Sequence, residues 1–265
     1  MVAAGRLTRR RDTITVSWVN QLQSARLTAL TVVIGFFVLV SPAYAVTENL
    51  FGSHGVASVS TWCCGSRSSI RTPGGAWIPD NHAGALERAF AEAVGSSGLV
   101  QAGIYAVNGS SLDGTCNSPA TQQFTETIDT NGVPACTAFS TLATCSVHLY
   151  SAARSSASNP TWHAYIDGVT RATVTFTVGD EGAGGEYAHT LGSAISGYIN
   201  AIFGGVDPNT GANVTPWQLN NGSSWNTVTG GYGSHIQSPW VVPNVGASGS
   251  NSAWRATIGS SSLSC

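Results

Sequence analysis

No lysine occurs among the 265 residues, and charged side chains of every kind make up only 9% of them. Positive charge rests on 11 arginines. Five of these, Arg6, Arg9, Arg10, Arg11 and Arg26, precede residue 27, so from residue 46 onward six arginines face twelve Asp and Glu, a net charge of −6. Binding phosphates takes clustered positive charge, and nucleic acid is excluded as a partner. An apolar run of the roughly 20 residues that cross a bilayer as a helix is also missing. The longest such run, Leu27 to Val40, has about 14 residues. Cys-x-x-Cys and His-x-x-x-His spacings are absent, so no metal site is expected. There is no Gly-x-Ser-x-Gly elbow for a serine hydrolase and no cofactor motif, so a cofactor is not expected either.

The short apolar run is itself informative. Arginines precede it, and Ser41, Pro42 and the small-residue triplet Ala43-Tyr44-Ala45 come after it, which is the layout of a secretory signal peptide. Residues 1–45 are expected to be removed, leaving a secreted, extracellular chain with no membrane attachment. Residues 46–265 suffice for one domain with one core. Within it, 46–97 reads as an N-terminal arm or propeptide-like segment and 98–265 as the main body. Cys63, Cys64, Cys116, Cys136, Cys145 and Cys265 all lie beyond the signal peptide, and an even count in an exported chain predicts disulfides. Cys136 and Cys145 flank a short loop and suit a local bridge, whereas the adjacent Cys63 and Cys64 are expected to pair with distant partners.

Periodicity predicts an all-β chain with at most one short helix. The helical candidate is Leu86 to Val94, where Leu86, Phe90 and Val94 recur at intervals of four. Segments rich in β-branched and aromatic residues come next, at 99–107, 121–129, 146–151, 162–167, 171–178 and 186–190. Asn108-Gly109, Asn131-Gly132, Asp167-Gly168 and Asn221-Gly222 supply turns between or after them. Weaker strands are expected around Trp217, over 236–242 and over 254–258. This pattern predicts a disulfide-bonded antiparallel β-sandwich or barrel.

Two segments carry candidate chemistry. In Leu99 to Tyr105, strand alternation places Gln101 and Tyr105 on one face, with Gly103 leaving a side-chain-free patch between them. In Val178 to Tyr187, a glycine-rich stretch reads as a turn, after which Glu186 opens the next strand. Together these segments resemble the glutamic peptidases (eqolisins) and the related neprosin-type enzymes. Val100-Gln101-Ala102-Gly103 is similar to the strand bearing the catalytic glutamine, and Thr121 to Asp129 to the aromatic-rich strand after it. Trp162 to Gly168 is similar to a later tryptophan-bearing strand. Gly184-Gly185-Glu186 resembles the motif that supplies the catalytic carboxylate, and His189 to Ser193 is similar to the stretch just beyond that motif. The resemblance spans roughly 98–205 and implies a concanavalin-like sandwich and a polypeptide substrate. Glu186 would be the general base and Gln101 the oxyanion partner. Tyr105, Glu126 and Trp162 would then bind substrate.

Rival readings rest on other residues. Trp217 and Trp225, set among Asn, Gly and Ser, would be the exposed rings of a non-catalytic module for polysaccharide. A structural surface protein also fits the Ser and Gly richness. Asp207-Pro208-Asn209-Thr210-Gly211 hints at alternating calcium ligands but lacks the terminal glutamate of a loop site, and reads as a turn. The six histidines, 54, 82, 148, 163, 189 and 235, occur in unrelated contexts and read as structural.

Overall fold

The computed structural model describes residues 47–57, 62–71, 85–107, 121–143, 145–190, 199–229, 233–238, 240 and 254–258. All fall in one compact unit, Ala45–Cys265. The expected signal peptide, the Asn108-Gly109 turn, Cys116 and Cys265 lie outside the described residues.

Among the described residues every regular element is a strand. In chain order these are β1 (Thr47–Ala57), β2 (Gly65–Arg71), β3 (Leu86–Gly95), β4 (Leu99–Val107), β5 (Gln122–Ile128), β6 (Pro134–Thr141), β7 (Val147–Ala153) and β8 (Thr161–Ile166). Then come β9 (Val169–Thr175), β10 (Val178–Thr190), β11 (Ile199–Phe203), β12 (Gln218–Asn220), β13 (Trp225–Thr227), β14 (Gly233–Ile236) and β15 (Trp254–Ile258). One sheet runs β14-β1-β10-β3-β4-β5-β6 and the other β13-β12-β2-β7-β8-β9, with β11 also beside β2 and β15 beside β11. The chain is an all-β antiparallel sandwich. Residues 46–97 contribute β1, β2 and β3, each with a strand on both sides.

Between the sheets, Leu50, Ile70, Val100, Ile104, Tyr150, Trp162, Ile166, Phe176, Tyr187, Phe203, Trp217 and Leu219 form one core with a lining of alanines. Alternation explains which residues enter it. In β4 and β8 every second side chain is apolar and points inward, as a pleated strand requires. The Asp167-Gly168 corner between β8 and β9 has positive φ at both residues, 52° and 78°, the geometry of a tight two-residue hairpin turn. Asn131-Gly132 and Asn221-Gly222 also close hairpins, β5 to β6 and β12 to β13, each with its glycine at positive φ.

The structure corrects three expectations. Residues 86–94 are not a helix but the strand β3, pinned between β10 and β4. A spacing of four satisfies a helix and a strand alike, since it is also twice the strand period. The deciding residues are Ala89, Ala91 and Ala93, all fully buried in the core on the opposite face. The glycine-rich stretch before Glu186 is not a turn either, because β10 runs unbroken from Val178 to Thr190. Gly185 faces Gly52 across the β1–β10 pair, and the Trp240 indole lies over both. That ring is tied down by its Nε1, which donates to the Leu50 carbonyl at 2.9 Å. Finally, Cys63 is bonded to Cys64 rather than to a distant partner. Both N–H groups donate to the Asn220 carbonyl, at 3.2 and 3.1 Å, and both carbonyls accept from Arg154. The Gly222 hairpin tip covers the two sulfurs, where a distant cysteine would have to sit. Cys136 and Cys145 are disulfide-bonded as well.

The Trp240 seat yields a stability test. A Cβ at Gly185 would lie 2.2 Å from Trp240 Cη2, so Gly185→Ala is expected to cost on the order of 1–3 kcal/mol by overpacking. Urea unfolding measures this, and the cost should shrink in a Trp240→Leu background.

Candidate active site

The site is built on the face of the β14-to-β6 sheet that points away from the core. Because β3 alternates, its alanines face inward while Leu86, Arg88, Phe90 and Glu92 face outward. Register then sets the neighbours in rows across the sheet. One row reads Glu186, Arg88, Tyr105, Gln122 from β10 to β5. The next reads Gly184, Phe90, Gly103, Phe124, and the third Gly182, Glu92, Gln101, Glu126. Leu86, Phe90, Tyr105, Val107, Phe124 and Ala188 make a second apolar cluster on this face.

Four polar side chains are buried within that setting: Arg88 and Gln101 and Glu126 at 3% exposure and Glu186 at 7%. Arg88 joins them. Its Nη1 donates to Glu126 Oε2 and lies 3.4 Å from Glu186 Oε2, so one guanidinium bridges two carboxylates carried by strands on either side. The Phe124 ring packs 5.6 Å from the same guanidinium, a cation–π contact that shields the pair from water. Gln101 Nε2 donates to Glu92 Oε2 at 3.1 Å, and Glu126 stands directly across from Gln101 on β5. The Gln101 Oε1 atom is buried with no hydrogen-bond partner. A buried amide oxygen left in that state is a ready acceptor for a water or a substrate N–H. Glu92, half-buried, is the carboxylate of this group most open to solvent.

Of the residues singled out from sequence, Gln101, Tyr105, Glu126 and Glu186 share this face. The expected contact between Gln101 and Glu186 is not made. They are separated by one intervening strand and by four residues along β4, which at about 4.8 Å per strand and 3.3 Å per residue puts their Cα atoms roughly 16 Å apart. Two side chains of this length do not meet one water across that span. Arg88 links Glu186 to Glu126, which stands across from Gln101 on β5. Tyr105 is fully buried, its hydroxyl donating to Gln122 Oε1 at 3.2 Å and its ring edge-on to Phe124. Trp162 does not join the site: it is fully buried in the core, stacked on Phe176 at 5.6 Å. The glycines also serve packing rather than access. A Cβ at Gly103 would fall 1.9 Å from the Ala89 carbonyl oxygen, so close pairing of β3 with β4 demands glycine there. Gly184 gives way in the same manner to Ser53.

Arg88 and Glu92 were not singled out from sequence. On a helix they would lie opposite the Leu86, Phe90 and Val94 stripe, in solvent. On a strand they share its face, and the missed signal was the unbroken Ala-x-Ala-x-Ala alternation behind them.

Elsewhere, the expected exposed pair separates. Trp217 is buried, donating from Nε1 to Ser66 Oγ at 3.1 Å, while Trp225 is half-buried under the Arg67 guanidinium at 4.3 Å. The Asp207 loop is a closed turn. Asp207 accepts from the Asn209 N–H at 2.8 Å and from the Thr210 hydroxyl at 2.9 Å, which hold its carboxyl below the usual carboxylate range. No group of ligands suited to a metal occurs among the described residues. One more carboxylate stands out on the inner face, where burial pushes the Glu181 carboxyl up to about 7.

Removing the bridging cation has a definite expectation. Arg88→Met leaves Glu126 and Glu186 without it in a dry setting, and loss of one partner of a buried ion pair typically costs about 3–5 kcal/mol. Denaturant unfolding checks this, and a change below about 1 kcal/mol would assign Arg88 the weak role of a surface pair.

No family model matches the chain, and no curated protein matches it. Among solved structures it is similar to scytalido-glutamic peptidase with a transition state analog inhibitor, at 11% identity and a TM-score of 0.45, covering 80% of this chain and 98% of that one. The same peptidase with a peptide-based transition state analog matches at 12% identity and a TM-score of 0.41, covering 80% and 100%. A Bacillus licheniformis beta-glucanase matches at 16% identity and a TM-score of 0.33, covering 56% and 67%.

Proposed function

We propose that this chain is a secreted, acid-acting glutamic-type endopeptidase in which a water is held between Gln101 and a glutamate and attacks the peptide bond. The observation that carries the reading is the Gln101 amide: buried, donating to a carboxylate through Nε2, and leaving Oε1 without a partner. The glutamate in contact with it is Glu92, and the roles come from position. A water accepted by Glu92 and by Gln101 Oε1 is oriented by both. As that water attacks the scissile carbonyl, Glu92 takes its proton and returns it to the leaving amine. Gln101 Nε2, released from Glu92 as the carboxylate is protonated, donates to the developing oxyanion. Glu126, across from Gln101, and Glu186, linked through Arg88, set the charge around this pair. Secretion is supported by the arginine-led apolar run before Ala45 and by the disulfide-bonded state of Cys63, Cys64, Cys136 and Cys145.

A carbohydrate-binding reading narrows to Trp225. Its indole is half-buried on the outer side of the other sheet, held by Arg67, whose Nε donates to Gln218 Oε1 at 2.7 Å. If that ring stacks on sugar, Trp225→Ala abolishes retention on insoluble polysaccharide and leaves proteolysis intact. Absence of retention by the wild type on a panel of polysaccharides removes this reading.

The peptidase reading is tested on purified protein starting at residue 46, with denatured protein substrates between about pH 3 and 7, where carboxylates titrate. Glu92→Gln keeps size and hydrogen bonding but removes the proton acceptor, and should lower cleavage by roughly 10²- to 10⁴-fold. Gln101→Ala should lower it by about 10²- to 10³-fold, as for loss of one placed donor. Glu186→Gln should cost less, because Glu186 acts through Arg88. Loss confined to Glu186→Gln would return the base to that residue, and a wild type that cleaves nothing would end the proposal.

A further inference from the structure

The two sheets divide the charge between them. Strands of the β14-to-β6 sheet carry Glu48, Glu87, Glu92, Glu126, Asp180, Glu181 and Glu186 against Arg88 alone. Strands of the other sheet, β11 and β15 included, carry no Asp or Glu and hold Arg67, Arg71, Arg171 and Arg255. Asp167, in the turn between β8 and β9, is already engaged, by the Leu149 N–H at 2.9 Å and by His148 Nδ1 at 2.7 Å. In a chain that is acidic from residue 46 onward, the outer face of this second sheet is where an anion meets the least repulsion.

Alternation and register fix what that face presents. Gln218, Arg67, Ser151 and Tyr165 lie in one row across β12, β2, β7 and β8. Beside it run Trp225 with Asn220 on the β12–β13 hairpin, then Gly65, Ala153 and His163 on β2, β7 and β8. The Arg67 guanidinium lies 4.3 Å over the Trp225 ring and its Nε donates to Gln218 Oε1 at 2.7 Å, so cation and indole are held as a pair. Burial lowers this guanidinium from its ordinary value, with no carboxylate offsetting the loss of water. At the far side, His163 Nδ1 is held by Thr173 Oγ1 at 2.9 Å and the Tyr165 ring lies 5.9 Å from the imidazole. Ser151 and Ala153 face outward yet are buried, which makes them the floor between the two pairs. From Trp225 to His163 is four strand spacings, roughly 19 Å.

We propose that this face binds an acidic polysaccharide: a sugar ring stacks on Trp225, its carboxylate pairs with Arg67, and the chain runs over Ser151 and Ala153 to His163 and Tyr165. The proposal rests on the carbohydrate reading of Trp225 and adds the charge of the sugar and a second point of contact. Three features select the occupant. A guanidinium partly withdrawn from water, with no acid on its own sheet, gains from a carboxylate that forms charge-assisted hydrogen bonds with it. An indole face offers the apolar body on which a ring can lie. Finally, β12, β2, β7 and β8 each have a strand on both sides, so this face has no open edge for an extended peptide and recognition falls to side chains. A polymer with one carboxylate per sugar also needs less clustered positive charge than a nucleic acid backbone does. Because Gln101 and Glu92 lie on the other sheet, a bound polysaccharide leaves their face open.

The test is retention of the protein from residue 46 onward on beads bearing polygalacturonate, beside beads bearing its methyl ester, the same polymer without charge. At low salt the wild type should be held about 10-fold more strongly on the acid form, as for one charge-assisted contact, and the difference should vanish in about 1 M salt, where screening acts within about 3 Å. Arg67→Gln should bring retention on the acid form down about 10-fold, and Arg67→Lys should restore most of it. Trp225→Ala should abolish retention on both polymers, and His163→Ala should weaken both. Equal wild-type retention on acid and ester overturns the charge assignment and leaves the Trp225 reading standing, whereas no retention on either polymer or on cellulose removes both. Release by polyglutamate as effective as release by oligogalacturonate overturns the sugar and makes the partner an acidic protein. An unaffected His163→Ala overturns the second contact. Should Arg67→Gln fail to fold, a preference for the acid form that survives 1 M salt overturns the pairing on the wild type alone.

Discussion

The register of β3 between β10 and β4 is the constraint on which the rest depends. Strand side chains alternate with a period of two, so a slip by one residue exchanges the two faces entirely. It would put Ala89, Ala91 and Ala93 outside and drive Arg88, Phe90 and Glu92 between the sheets. The native register places three small side chains where the sheets pack and stacks the polar ones where β10 and β5 bring Glu186 and Glu126 within reach. Gly103 reinforces the choice, because only a residue without Cβ lets β4 lie so close to the Ala89 carbonyl. Site and core are the two sides of one strand.

The two faces of the sheet handle charge in opposite ways. Outside, a guanidinium satisfies two carboxylates at once, so that burial is compensated by pairing and hydrogen bonds. Inside, Glu181 is fully buried with neither carboxylate oxygen in a well-formed hydrogen bond, and burial pushes its carboxyl up to about 7. Pairing fixes geometry, which a catalytic face needs. Proton uptake fixes nothing by itself and makes the fold respond to its medium.

The sandwich was legible from sequence because its middle strands alternate cleanly: Leu99 to Val107 and Trp162 to Asp167 each place apolar residues at every second position, with Asp-Gly closing the latter into a hairpin. The third strand was not. Leu86 to Gly95 is made of good helix formers, and only pairing on both sides overrides that preference. The glycines of β10 read as a turn because local sequence cannot report that an indole 55 positions on from Gly185 occupies its empty face, or that Ser53 packs against Gly184. For the site, strand parity found the shared face of Gln101 and Tyr105, while the distance between Gln101 and Glu186 depends on register across a strand whose local spacing favours a helix. Trp162 looked like a binding residue for want of any local sign that Phe176 would stack on it.

Trp240 spans two chain segments that are remote in sequence, resting on Gly52 of β1 and Gly185 of β10 while its Nε1 holds the Leu50 carbonyl. Three positions thus share one volume. During divergence none of them is free to change alone: a methyl group gained at 52 or 185 has to be matched by a ring lost at 240, and a smaller residue at 240 opens a void that only a larger one beneath it would fill. In a set of descendants of this chain, the three columns would vary as a single character, and β1, which carries no candidate catalytic residue, would diverge in step with the strand that carries Glu186.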